Sequence, residues 1–247
     1  MTESYTPSQF IDKINQANPS SPTFDPLGTQ ALRQSIEDNK RQSGDILAQA
    51  DEQRKQQEEY LNSPEAKIAK AEQEIQDMKT WLLTDQTYTP EEVDSMVDKL
   101  RVEYDPELDK AIVRGDIYLN QLESAKGLQL PETVGNDLNL SGLTSTEGLQ
   151  LPKTVVGDLA LHSLTSAEGL QLPKSVGGSL WLESLTSAEG LQLPGNIEGD
   201  LYLYNLTNAE GLQIPDNFGG YLYLDSLSPS DKQKLRELRP DLADKIL

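Results

Sequence analysis

The residues able to do chemistry in this sequence recur in columns spaced by 21 residues. One column reads Asp116, Asp137, Asp158, Ser179, Asp200, Tyr221. Two residues on, a second reads Tyr118, Asn139, Ala160, Trp181, Tyr202, Tyr223; two further, a third reads Asn120, Ser141, His162, Glu183, Tyr204, Asp225. Stacked carboxylates about 4.8 Å apart repel one another unless a cation or a backbone N–H relieves them. The column therefore suggests either calcium binding or turn capping, a common use of Asp. The nine-residue period of the G-G-x-G-x-D calcium repeat is absent, so capping is the expected role, with no metal and no cofactor. The aromatic residues suggest recognition. Trp181, Tyr202, Tyr204, Tyr221 and Tyr223, with Glu183 and His162 beside them, are the candidate partner-binding residues, since aromatics are enriched at binding hot spots. The same residues also stabilise strand surfaces by cross-strand packing.

Catalysis finds no such constellation. Cysteine is absent and His162 is the single histidine. Thiolate metal sites and disulfides are excluded, and a Ser-His-Asp triad is disfavoured. There is no Gly-rich phosphate loop, no H-E-x-x-H and no G-x-S-x-G. No catalytic residue is assigned, and the chain is expected not to be an enzyme.

These columns must be positioned by a repeat. From Gly127 the chain reads GLQLPETVGNDLNLSGLTSTE, and the unit returns from Gly148, Gly169 and Gly190 and begins again at Gly211. Each unit holds two apolar alternations, such as Leu138/Leu140 and Leu149/Leu151, and alternation means a strand with one face buried. With the leucines inward, the intervening residues point outward. Leu143 and Val155 are expected at corners, Pro152 at the end of the second strand and Gly157 in the turn that follows. The pattern Thr165–Glu168 resembles a helix start and predicts one helical turn per coil, closed by Gly169 and with the Glu147, Glu168, Glu189, Glu210 column capping. The constant Gln129, Gln150, Gln171, Gln192, Gln213 column is expected to stack its amides. A lone coil cannot bury enough apolar surface to fold, so stacking must supply the rest.

The L-x-L-P-x-x-V segment followed by a second L-x-L, at a period near 21, resembles the short bacterial leucine-rich repeats over residues 116–228. Two features depart from that family. Leu143, Leu164, Leu185 and Leu206 stand where its Asn belongs, and a small or polar residue stands where a leucine belongs three positions before L-x-L. A broader β-solenoid is the alternative. The resemblance implies protein binding on the strand face.

The rest of the chain reads as helical. Residues 1–28 hold a short helix with Phe10, Ile11 and Ile14, then a Pro/Ser-rich linker. Residues 29–88 are expected to form a helical hairpin or weak coiled coil, broken at Ser63-Pro64, with Ile68, Ala71, Ile75, Met78 and Leu82 as an apolar seam. That seam either packs on its own neighbours or mediates homo-oligomerisation. Residues 89–115 are expected to form a helical N-terminal cap, with Thr89-Pro90-Glu91-Glu92 starting one helix and Pro106 a second that ends at Gly115. Residues 229–247 are expected to form a C-terminal capping helix, started by Ser228 and Pro229. The fold class is thus α plus a β-solenoid of about five coils.

Composition bounds the partners. Of 247 residues, 21 are basic and 41 acidic, a formal net charge of −20. Such a chain repels nucleic acid and anionic lipid. The start MTESYTPSQFIDKINQ has neither a basic region nor an apolar run, so it does not read as a secretory signal. A cytoplasmic location is expected, with export by a signal-less route as the alternative. The function expected is a non-catalytic scaffold presenting the first-L-x-L strand face to a protein or peptide. A spacer without ligand and a carbohydrate-binding module on the aromatic patch are the alternatives.

Overall fold

The structure, a computed structural model, describes residues 29–247. The expected helix at Phe10–Ile14 and the linker at 18–28 lie outside the described residues. The chain divides into two compact units between Tyr60 and Leu61.

The described part of the first unit is helical and belongs to α1 (Thr29–Leu61). From Arg33 to Asn62 every side chain is exposed, including Ile36, Ile46 and Leu47. The break falls where Ser63-Pro64 predicts it. Ser63 Oγ accepts the Ala66 N–H at 3.2 Å and Pro64 opens α2 (Pro64–Asp85), a proline position that sacrifices no intrahelical hydrogen bond.

The second unit starts with α2, whose seam is buried within the chain. Ala71, Ile75, Met78 and Leu82 are all buried, the last two completely. They join the core with α3 (Pro90–Val97) and a β-hairpin. Of the two readings of the seam, the structure shows packing on its own neighbours. The Thr89 capping box is formed, with Glu92 N–H donating to Thr89 Oγ1 at 3.3 Å and Thr89 N–H to Glu92 Oε2 at 2.8 Å. Lys79 bridges α2 to α3 through Asp94 at 2.6 Å.

The helix expected from Pro106 to Gly115 is instead that hairpin, β1 (Arg101–Asp105) paired antiparallel with β2 (Lys110–Arg114). Asp105 Oδ1 accepts the N–H groups of Glu107 and Leu108, and Asp109 takes a positive φ of 51°. The Asp side chain thus stabilises a turn, and Pro106 sits inside it rather than at a helix start. Ile112 and Val113, which favour strands, are both buried.

From β2 onward the chain is a β-solenoid of about five coils. Two sheets run along it. In the L-x-L sheet, β3 (Ile117–Tyr118), β5 (Leu138–Asn139), β7 (Leu159–Ala160), β9 (Leu180–Trp181), β11 (Leu201–Tyr202) and β13 (Leu222–Tyr223) are parallel and paired in strict register, Leu180 against Leu201 and Trp181 against Tyr202. Both inward residues of each alternation, Ile117 and Leu119 in the first and two leucines in the others, are fully buried, as the alternation predicts.

The other sheet corrects the sequence reading. The second L-x-L is not a strand. The ladder instead runs through β4 (Thr133–Val134), β6 (Thr154–Val155), β8 (Ser175–Val176), β10 (Asn196–Ile197) and β12 (Asn217–Phe218), and β2 joins it through Val113 and Val134. The residue read as a corner, Val155, is therefore on the strand. The proline that recurs in each coil, at 131, 152, 173, 194 and 215, explains the shift: it has no N–H to give a ladder, so pairing resumes past it. Leu149 and Leu151 still pack against the core.

No helical turn forms between the sheets either. Leu170 N–H donates to Ala167 O at 3.0 Å across a tight turn, with Gly169 at φ 72° as its third residue, the position that requires positive φ. Ser166 Oγ, rather than Thr165, accepts the Glu168 N–H at 3.1 Å. The Glu column is therefore not a cap; Glu147, for example, pairs with Lys126 at 2.7 Å.

Cations close the C-terminal end. Ser228 Oγ caps α4 (Pro229–Leu238) through the Asp231 N–H. Leu235, Leu242 and Ile246 cover the apolar column. Arg239 donates to the carbonyls of Ile214 and Pro215 at 2.6 and 3.3 Å, and Lys245 to Gly219 O at 2.7 Å. These are carbonyls of the last coil, whose only strand-like pairing beyond it, among the described residues, is the parallel bridge of Leu222 with Ile246.

At the other end Glu132 fastens α2 to the coils. It accepts from Lys70 at 2.6 Å and from Lys153 at 2.9 Å. These two ammonium groups, Lys70 first, hold its carboxyl down at about 2. A carboxylate whose folded pKa is depressed adds stability above its unfolded value and loses it as pH falls. Its side chain is 31% exposed, so with solvent screening the contribution is about 1–2 kcal/mol at neutral pH. Urea titrations should show this increment vanishing between pH 4.5 and about 2, and Glu132→Gln should remove that part of the pH dependence.

Candidate functional site

The outward face of the L-x-L sheet carries the three columns of polar and aromatic residues. Its Asp column is a ladder of side chain to backbone. Asp137 Oδ1 accepts the Asp158 N–H at 2.8 Å, Asp158 Oδ1 the Ser179 N–H at 2.7 Å, and Asp200 Oδ1 the Tyr221 N–H at 2.7 Å. Asp116 serves Asp137 at 3.4 Å, and Ser179 Oγ serves Asp200 at 3.1 Å. Turn N–H groups thus relieve the stacked carboxylates, one of the two roles the sequence offered. Ser179 can replace an aspartate because a hydroxyl accepts the same bond. Among the described residues no group of three or more His, Cys, Asp or Glu side chains could hold a metal ion.

From the third coil on, the ladder depends on the glycine that precedes each rung, at 157, 178, 199 and 220. A Cβ on Gly157 would lie 2.4 Å from Asp137 Oδ1, and one on Gly178 2.2 Å from Asp158 Oδ1. These glycines are there for close approach of coil to coil. Positive φ belongs instead to Gly127, Gly148, Gly169, Gly190 and Gly211 and, ahead of Asp116, to Gly115.

The aromatic column stacks along the solenoid because strict register puts its members directly over one another. Trp181 and Tyr202 stack with centroids 3.7 Å apart and 12° between planes; Tyr202 and Tyr223 stack at 4.7 Å and 9°. Tyr204 packs edgewise, 5.6 Å from Tyr202 and 5.9 Å from Tyr223. His162 lies 5.4 Å from Trp181, tilted by 36°, and its Nδ1 is 3.0 Å from Glu183 Oε2. Six of the seven predicted residues are therefore in one cluster. Tyr221 makes no ring contact and stands 48% exposed, on the Asp column. Trp181, Tyr202, Tyr204 and Tyr223 are half-buried.

Asp200 belongs to this cluster although the aromatic reading did not include it. Its Oδ2 accepts from Tyr202 Oη at 3.1 Å, and Asp116 does the same for Tyr118 at 3.3 Å. The signal was the D-x-Y spacing, which puts both side chains on one face of a strand. Burial, reinforced by that bond to Asp200, pushes the Tyr202 phenol up to about 12. Tyr204 is also raised, by desolvation and then by the charges of Glu183 and Asp225. The phenols are thus held neutral in a negative field.

In comparisons with protein-family models, curated proteins and solved structures, none matches this chain. Function must therefore be argued from the face itself.

The remaining candidates are less organised. The glutamine column is exposed and makes no amide ladder. An open groove of about 930 Å³ lies along the loops Ser187–Gly195 and Asn208–Asp216, and none of the ring-cluster residues lines it. No described helix is long and apolar enough to cross a membrane.

Proposed function

We propose that this protein is a non-catalytic scaffold that presents the outward face of its L-x-L sheet to a protein or peptide partner. The observation that carries the reading is the ring stack, half-exposed on a rigid, doubly laddered surface. Rings fixed by packing lose little conformational entropy on binding, which is the property of interface anchors. Cross-strand stabilisation explains the stacking, but not why the rings gather at three adjacent coils while Asn139 and Ala160 suffice at two others.

The stack also speaks between partners. A sugar ring docks on the open face of an aromatic ring. Here the faces of Tyr202 are covered on both sides by Trp181 and Tyr223. Edges and hydroxyls remain, and these suit the side chains and backbone of a polypeptide. A cytoplasmic setting fits the cysteine-free chain. The helical N-terminal region would tether or oligomerise the scaffold, a role supported by the exposed Ile36, Ile46 and Leu47 of α1. Kinship with leucine-rich repeats is supported by the L-x-L-P-x-x-V unit and its leucine column.

The test is the double variant Trp181→Ala/Tyr202→Ala. A binding scaffold loses its partner while circular dichroism reports the same fold. A spacer shows at most a lower melting point.

A further inference from the structure

Charge on this face is segregated in a way that points to the partner. The three outward columns contain no lysine or arginine. They do contain Asp116, Asp137, Asp158, Asp200, Glu183 and Asp225. Among the described residues, none of these six carboxylates forms an ion pair with a lysine or arginine; Glu183 meets only His162. Lys99 lines a pocket with Asp116 and Tyr118 at the first coil, away from Glu183 and Asp225, and pairs with none of the six; several other cations of this unit are engaged elsewhere. Lys70 and Lys153 hold Glu132, Lys245 caps Gly219 O, and Arg239 binds Asp241 and two last-coil carbonyls.

The bonds these carboxylates already make do not use up their charge. An ionised carboxylate has about four acceptor sites; the Asp column spends Oδ1 on one N–H of the next coil, and Asp116 and Asp200 also spend Oδ2 on a tyrosine hydroxyl. The result is a run of three anions at the coil spacing, about 4.8 Å, at Asp116, Asp137 and Asp158, followed at the ring stack by Asp200, Glu183 and Asp225. The N–H groups relieve the Asp column in part, and a cation brought to these carboxylates adds the opposite charge that neutral donors do not supply. Guanidinium groups fit best, since they bridge carboxylates bidentately and keep further N–H donors for the exposed edges and hydroxyls of the tyrosines.

Resting on the interaction-face reading, we infer that the segment received by this face is cationic, an arginine- or lysine-rich stretch of polypeptide whose basic side chains span the Asp column and the Glu183–Asp225 side of the ring stack. Electrostatic complementarity of this kind sets partner choice and association rate.

The test uses the full chain and three fluorescent peptides of equal length, rich in Arg/Lys, in Ser/Gly and in Glu. Affinities are read by anisotropy across a salt series. The face variant is Glu183→Gln/Asp200→Asn/Asp225→Asn, in which the amides keep the acceptor oxygen that Tyr221 N–H needs. The control is Glu189→Gln/Glu210→Gln/Asp216→Asn, which removes the same charge at the groove. The basic peptide is expected to bind the unaltered chain, to lose affinity about tenfold or more in the face variant, and to change less than about twofold in the control. Equal loss in both variants, or loss in neither, would show general attraction to an acidic chain and overturn the inference, as would failure of the basic peptide to bind. Binding of the neutral or acidic peptide, abolished by Trp181→Ala/Tyr202→Ala, would also overturn it while leaving the face an interaction surface.

Discussion

Gly178→Ala is expected to destabilise the solenoid by about 2–4 kcal/mol, the sum of overpacking and a disturbed charge-assisted hydrogen bond. The added methyl would lie 2.2 Å from Asp158 Oδ1 and 2.7 Å from the Gly157 carbonyl carbon. A long side chain could swing away, but backbone cannot. The coils must therefore separate locally, and the Asp158 bond to Ser179 N–H, 2.7 Å long, is strained with them. Gly211→Ala is the contrasting case. Nothing lies within 4 Å of its Cβ position, and its φ of 83° alone opposes the change, a cost of about 1–2 kcal/mol. Denaturant melts of the two variants should separate by this difference. If Gly178→Ala melts like the unaltered chain, the close-approach account of the glycine column is wrong.

Trp181→Ala/Tyr202→Ala should cost a bound partner about 2 kcal/mol per ring, roughly a thousandfold in dissociation constant. Two things make the loss large. Trp181 is the end of the stack and loses a partner at 3.7 Å, and Tyr202 is its centre, touching Trp181, Tyr204 and Tyr223. Deleting both also frees Tyr223 and Tyr204 to move, so that residues still present become poor anchors. Meanwhile Leu180, Leu182, Leu201 and Leu203 stay fully buried beneath, and the coil should survive. The expected signature is binding lost with only a modest fall in melting temperature. Calorimetry against the purified partner checks it.

Much of this arrangement is legible in sequence because a solenoid repeats its instructions. The first L-x-L needs only alternation and register, and its outward columns follow at once; the ring cluster was readable without coordinates, apart from Tyr221. Capping signals at Ser63, Thr89 and Ser228 act within four residues and were equally readable. The failures share a cause. Alternation at Leu149/Leu151 promises a strand, but Pro152 withdraws the N–H that pairing needs, and the ladder moves on to Val155. T-x-x-E promises a helix, but Gly169 in the left-handed region ends the turn before one residue of helix forms. Asp105-Pro106 looks like a helix start, yet Ile112 and Val113 find a better place extending the sheet against Val134. In each case local propensity was overruled by what the neighbouring coil could pair with. The glycines at 157, 178, 199 and 220 have a visible position and a hidden reason, since coil-to-coil distance is not written in any single unit.

The most direct test of the interaction face is site-specific photocrosslinking in the native host. A benzophenone amino acid replaces Tyr223, at the end of the ring stack, or Gln213, on the groove. A defined partner should be captured from position 223 and not from position 213. Capture from position 213 alone, or from neither, would contradict the account and leave the L-x-L face a purely structural surface.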